Sequence, residues 1–142
     1  MNAIEISRSA LDVEWRRLEI SAQNLANLNS TRSADGSVYQ PLRLLSGPSV
    51  NFAAMLSEAN VALAPSGVQV LGIEPIADGA RRAFEPAHPH ANEEGFVTYP
   101  AIDHAGEMTL MIRASRAYEA NLAAISIAQD MYGRALDIGR QS

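Results

Sequence analysis

The sequence predicts a mainly α-helical chain with a small β-rich insert, in which long N- and C-terminal helices pair as a coiled coil around an irregular middle. Three observations predict it. All seven prolines fall between Pro41 and Pro100, and seven of the nine glycines between Gly36 and Gly106, so the residues that break or loosen helices are confined to the middle. Apolar residues recur at seven-residue intervals at both ends. The 142 residues, 47% hydrophobic and 19% charged, have globular composition and suffice for one core, not two. The expected segments are an N-terminal helix within residues 1–33, a partly β middle at 34–106 and a C-terminal helix within 107–142.

At the N-terminus, Ile4, Leu11, Leu18 and Leu25 are spaced by seven, with Trp15 and Ala22 between them. The series Leu11, Trp15, Leu18, Ala22, Leu25 lies on one face at helical spacing. It predicts a helix from about Ala3 to Leu28, roughly 40 Å long. Asn27, Asn29, Ser30 and Thr31 end it, because their side chains compete for backbone hydrogen bonds. Ala34-Asp35-Gly36-Ser37 reads as a turn.

The middle holds short strand-like pieces with turn punctuation: Val38 to Gln40, Pro41 to Leu45, Val68 to Ile73, Arg81 to Phe84 and Phe96 to Tyr99. Residues 46–66 fit neither helix nor strand. The reading is a small β unit set on the helices.

The C-terminal segment predicts a helix from about Glu107 to Ile138, roughly 48 Å long. Met111, Tyr118, Ile125 and Tyr132 form one seven-residue row, and Met108, Leu122 and Leu136 occupy a second, partly filled one. Gly139 and Arg140 suit its end. Between Ala120 and Gln129 there is no charge and scarcely a polar face, so this stretch needs cover on nearly every side. One other long helix covers one side, and the remaining cover must come from other chains. The expected intrachain seam comprises Leu11, Leu18, Leu25, Tyr118, Leu122, Ile125 and Tyr132, with Ala120, Ala124 and Ala128 meeting neighbouring subunits. A monomer with so much apolar helix uncovered is marginally ordered, and its ends are expected to fold on assembly. Asn24, Asn27 and Asn121 lie in or beside the stripes; buried, they set helix register, and otherwise they are capping or solvated amides.

Charge and motif content narrow the function. The formal net charge is −5, and all eleven basic residues are arginine. Residues 1–33 and 107–142 each carry four acids and four arginines, so the middle, with eight acids and three arginines, carries the whole surplus. No basic stripe exists to neutralise phosphates, so nucleic acid is not an expected partner. The longest uncharged run, Ala59 to Ile73, is broken by Pro65 and Gly67, so no membrane span is expected. Glu5 and Arg8 interrupt any signal-peptide core; export would have to use another route. There is no cysteine for disulfides or thiolate-bound zinc. No GxSxG, GxGxxG or P-loop occurs, and no enzyme, catalytic residue or cofactor is expected. His88, His90 and His104 lie near Glu85, Glu93, Glu94 and Asp103, and a metal-dependent enzyme built on His88, His90 and Glu93 is the least favoured alternative. Pro86 and Pro89 favour a plain turn there. A cytoplasmic coiled-coil adapter is a second alternative. Phe52 and Leu56, four apart, read as a short docking motif or an ordinary turn of helix.

The residues from Ser21 to Arg32, SAQNLANLNSTR, resemble the N-terminal signature of bacterial flagellar rod and hook proteins. Phe84-Glu85-Pro86-Ala87-His88-Pro89, Gly95-Phe96-Val97, Tyr99-Pro100, Glu107-Met108, the run from Arg113 to Asn121 and Ala135-Leu136-Asp137-Ile138-Gly139 resemble the proximal rod members of that family in order and length. Departures from the pattern are Phe84 for the usual tyrosine, His90 for aspartate, Ala101 for asparagine and Val38 for proline. The resemblance implies a structural, non-enzymatic subunit of the basal-body rod, the drive shaft for motility, with terminal helices paired as a coiled coil and copies packed helically. It implies partnership with itself and with other rod proteins. It also implies export without a cleavable signal through the flagellar type III apparatus to the periplasmic space. In that family a phenylalanine followed four residues later by a hydrophobic residue is a proposed export-gate element, and Phe52 and Leu56 match that spacing.

Overall fold

The computed structural model describes residues 3–32, 36–49, 67–76 and 80–140. It contains helix α1 (Ala3–Ala26), strands β1 (Leu42–Pro48), β2 (Val68–Pro75), β3 (Ala80–Phe84) and β4 (Phe96–Pro100), and helix α2 (His104–Arg140). Two long helices with a β-bearing middle are therefore as the proline and glycine distribution predicts. Val38 to Gln40, expected as extended, lies outside any strand, and α2 starts three residues earlier and ends two later than expected.

α1 and α2 pack against each other along their length. Trp15 and Tyr118 stand with ring centroids 6.1 Å apart, Asn24 bonds Glu107, and Ala3 shares a cleft with Ala128, Met131, Tyr132 and Ala135. Numbering rises on α1 as it falls on α2, so the helices run antiparallel. At ~1.5 Å per residue, the 24-residue α1 is about 36 Å long and the 37-residue α2 about 55 Å. The longer helix runs on past the start of α1.

The strands form two separate antiparallel ribbons, β1 with β2 and β3 with β4. β1 and β2 run from Leu42 opposite Pro75 to Pro48 opposite Val68, with a shift of register between Leu45 and Ser46. Leu45 faces Gly72 and Ser46 faces Val70, which leaves Leu71 as the extra residue of a bulge. This ribbon packs on α1. Arg17 donates to Ser46 Oγ, and Ser9 Oγ accepts from the Val68 amide. Gly67, just before β2, has φ +81°, and a Cβ there would lie 2.4 Å from Ser9 Oγ. Both the left-handed backbone and the close approach require glycine.

β3 and β4 pair from Ala80 opposite Pro100 to Phe84 opposite Phe96. Their connection is built from turns. Asn92 Oδ1 accepts from the amides of Glu94 and Phe96, and Gly95 takes φ +80° under the Phe84 ring. Val97, Tyr99 and Pro100 are buried, and the Tyr99 hydroxyl donates to Glu85. That bond, with some burial, pushes the Tyr99 phenol above its ordinary value. Three residues then join β4 to α2. Asp103 caps the helix, its Oδ1 accepting from the Ala105 amide and its carbonyl from that of Glu107.

Val13 and Ile20 are the buried apolar residues of α1, and Ala114 that of α2. Leu11, Leu18 and Leu25, the row expected to form the seam, are half-buried, and Trp15 is largely exposed. The reason is that α1 is covered on two sides, by α2 and by the β1–β2 ribbon. The most buried line, Val13, Ile20 and Asn24, lies between the two contacts.

Candidate assembly surface

The foot of the hairpin is held by one amide. Asn24 has no exposed surface. Its Nδ2 donates to the Leu42 carbonyl and to Glu107 Oε1, each at 2.8 Å. Its Oδ1 accepts from the Leu42 amide and the Tyr39 hydroxyl, each at 2.9 Å. Both donors and the acceptor oxygen are thus used in full, and α1, β1, the segment before β1 and α2 meet at one side chain. Burial, then the nearby Glu107 carboxylate, pushes the Tyr39 phenol above its ordinary value. Glu107 is 8% exposed, and its Oε2 has no hydrogen-bond partner among the described residues.

Asn27 and Asn121 behave differently. Asn27 Nδ2 donates back to the Gln23 carbonyl and its Oδ1 accepts from Ser30, finishing α1. Asn121 donates to the Ala117 carbonyl of its own helix.

On α2 the residues turned towards α1 are Glu107, Met111, Ala114, Tyr118, Asn121, Ile125 and Ala128, spaced alternately by four and three. Ala128, expected to meet neighbours, lies on this line instead. Leu122 lies one residue past it, about 100° around the helix. It is 46% exposed, so it faces outward and not into the intrachain contact where it was expected. Ala120 and Ala124 are exposed.

Beyond Ala128 every described residue of α2 is exposed. Ile127, Met131, Leu136 and Ile138 show 60–72% of their surface, and Tyr132 about half. Where α1 begins, Ala3, Ala128, Met131, Tyr132 and Ala135 line an apolar cleft of about 310 Å³. Two sources of apolar surface therefore coincide at one end of the subunit: a cleft, and a helix that outruns its partner. Val70, Leu71 and Ile73 of β2 and the Phe84–Phe96 pair, 5.3 Å between centroids, add exposed apolar patches elsewhere.

His88 and His90 are bound into the turns they occupy. His88 Nδ1 accepts from the His90 amide, and His90 Nδ1 lies 2.7 Å from Thr31 Oγ1. Among the described residues no three His, Asp or Glu side chains group to hold a metal ion, and no helix is long and apolar enough to cross a membrane. Phe52 and Leu56 lie outside the described residues.

Among the described residues, an antiparallel pair of terminal helices leaves apolar surface uncovered at one end, which is a surface for packing against other molecules. Comparison with known proteins gives the family. Residues 93–138 match the family described as flagellar basal body rod FlgEFG protein C-terminal. The flagellar basal-body rod protein FlgC of Yersinia enterocolitica is 32% identical over 142 residues, covering 99% of this chain and 98% of that protein. FlgC of Bacillus subtilis is 30% identical over 146 residues (98% and 97%), and FlgC of Salmonella typhimurium 29% over 140 (99% and 98%). The chain belongs to the FlgC family of flagellar basal-body rod proteins, and it is a structural subunit rather than an enzyme.

Proposed function

We propose that this chain polymerises through its terminal helices into the proximal part of the rod, with the two helices paired as a coiled coil in the assembled state. The observation that carries this is the exposed apolar surface of α2 at Leu122, Ile127, Met131, Leu136 and Ile138. Full burial of each large aliphatic side chain is worth about 1.5–3 kcal/mol, and a lone subunit leaves that energy unused. The alternating four-and-three spacing from Glu107 to Ala128 supports the coiled-coil pairing.

In this reading Met111, Tyr118, Asn121 and Ile125 belong to the seam with α1, and Leu122, Tyr132 and Leu136 belong to contacts with neighbours. Leu11, Trp15, Leu18 and Leu25 flank the seam on α1, and Asn24 fixes its register. Partners are further copies and other rod proteins. The subunit reaches the periplasmic rod through the flagellar type III apparatus, with Phe52 and Leu56 as its gate element. The far end of the hairpin gains its order on incorporation, which hydrogen exchange before and after assembly would register.

The test is Leu136→Asp. Leu136 is 70% exposed, so the isolated subunit should keep its stability while incorporation into detergent-washed basal bodies, and motility, are lost. Normal swimming with that variant would overturn the proposal, as would absence of the wild-type chain from basal bodies.

A further inference from the structure

α2 carries a second row able to face α1. The residues that face it now, from Glu107 to Ala128, alternate at spacings of four and three. The next two positions of that rhythm are Tyr132 and Ala135. A slide of α2 by seven residues, about 10 Å along the axis, puts Ala114 in the place of Glu107, Tyr118 in that of Met111 and Tyr132 in that of Ile125. The slid setting uncovers Met111 and covers Tyr132, now 52% exposed, and Ala135, now exposed. Apolar burial therefore does little to separate the two settings. Because β4 passes into α2 across three residues, the β3–β4 ribbon travels with the helix and gives up the exposed contact of His90 with Thr31.

The polar link buried between the two helices is the bond from Asn24 Nδ2 to Glu107 Oε1. Glu107 Oε2 is withdrawn from water and has no hydrogen-bond partner among the described residues, a burial that costs stability. A polar group held in an apolar seam at such a cost is a known means by which paired helices reject misaligned settings. The geometry here gives it that effect. In the slid setting Ala114 comes level with Asn24, so the amide hydrogen now given to Glu107 meets a methyl group. Glu107 itself passes beyond Ala26, where α1 ends.

We infer that Glu107 is the residue that selects the register of the helix pair, by giving Asn24 an acceptor in this setting and none in the setting slid by one heptad. The inference rests on the coiled-coil reading above, and it names both the group that Asn24 reads and the alternative that the pair rejects. A second obstacle to the slide is Asn121, which would come to the closely packed position of Ala114.

The chain has no cysteine, so spin labels can be attached at Gln23→Cys and Asp130→Cys, both exposed, and the distance between them read on the full chain by double electron–electron resonance. The labelled chain should give one distance, and Asn121→Ala should leave it unchanged. Adding Glu107→Leu to Asn121→Ala should bring in a second population about 10 Å shorter, the length of seven helical residues. Moving the acid by one heptad, with Ala114→Glu, Glu107→Leu and Asn121→Ala together, should leave the shorter distance alone. A single unchanged distance in either of these last two variants would overturn the inference. Should the chain with Glu107→Leu and Asn121→Ala fail to fold, the variant with the displaced acid decides: folded at the shorter distance it sustains the inference, and any other result rejects it. The distance is read on the isolated chain, so rejection leaves the rod role, which Leu136→Asp tests, standing.

Discussion

Replacing Asn24 by alanine removes the group that joins four parts of the chain at the foot of the hairpin. Three of its four hydrogen bonds involve neutral partners, the Leu42 amide and carbonyl and the Tyr39 hydroxyl, and the fourth reaches the Glu107 carboxylate. At about 1 kcal/mol net for each neutral bond and about 1.5–3 for the charged one, the sum is about 4–6 kcal/mol. Water entering the vacated space recovers part of it, so an expected loss is about 3 kcal/mol or more. That is a large share of the 5–15 kcal/mol typical of a domain, to order of magnitude. Asn24→Asp is nearly isosteric and should be no milder, because a carboxylate would replace the amide that now donates to Glu107 at 2.8 Å. Asn27→Ala is the control: its bonds are local to the end of α1 and are worth about 1 kcal/mol. Urea unfolding of the purified variants, followed by far-ultraviolet circular dichroism, measures all three. An Asn24→Ala loss no larger than that of Asn27→Ala would refute the reasoning that this amide locks the hairpin.

Three further expectations follow from the same geometry. Gly67→Ala should cost about 2 kcal/mol or more, from its left-handed backbone and the approach to Ser9 Oγ; Gly72→Ala, with open space around its Cβ, is the comparison in thermal melts. Ala114→Leu should cost about 1–3 kcal/mol by overpacking, since Ala114 is buried between the helices; a melt unchanged from wild type would contradict the close packing. Tyr39 has its phenol pushed above 10.0 in the folded chain, so folding favours the protonated form. That contribution is fully present below the unfolded value and is lost as pH rises through the folded one. Urea midpoints should therefore fall in alkali through Tyr39, and Tyr39→Phe should flatten that part of the fall while lowering stability at neutral pH.

The long helices were legible because punctuation and period agree: all seven prolines and seven of the nine glycines stay between 36 and 106, and both ends carry seven-residue rows. The buried line on α1 was not. Leu11, Leu18 and Leu25 are the conspicuous apolar row, yet Val13 and Ile20 are the buried ones, because a second contact with the β1–β2 ribbon rotates the covered sector. A one-dimensional pattern reports that a face is apolar, not how many neighbours divide it. Asn24 drew notice as an amide among apolar residues, but its link to Glu107 spans 83 positions. An acid in the first turn of a helix already has a sufficient reason to be there. Leu122 shows the opposite effect. Where a helix is apolar nearly all round, periodicity cannot say which row faces its own partner. The bulge at Leu71 shows in the sequence only as a one-residue slip of alternation, Val70 and Leu71 being consecutive apolar residues ahead of Gly72.

The two ribbons hang on different helices. β1 and β2 are bonded to α1 through Arg17, Ser9 and Asn24, while β4 passes into α2 across three residues stiffened by the Asp103 cap. Any sliding of one helix along the other therefore reappears as a change in spacing between two surface appendages. A pair of fluorescent or spin labels, one on each ribbon, would read the axial setting of the helices from outside the helix pair.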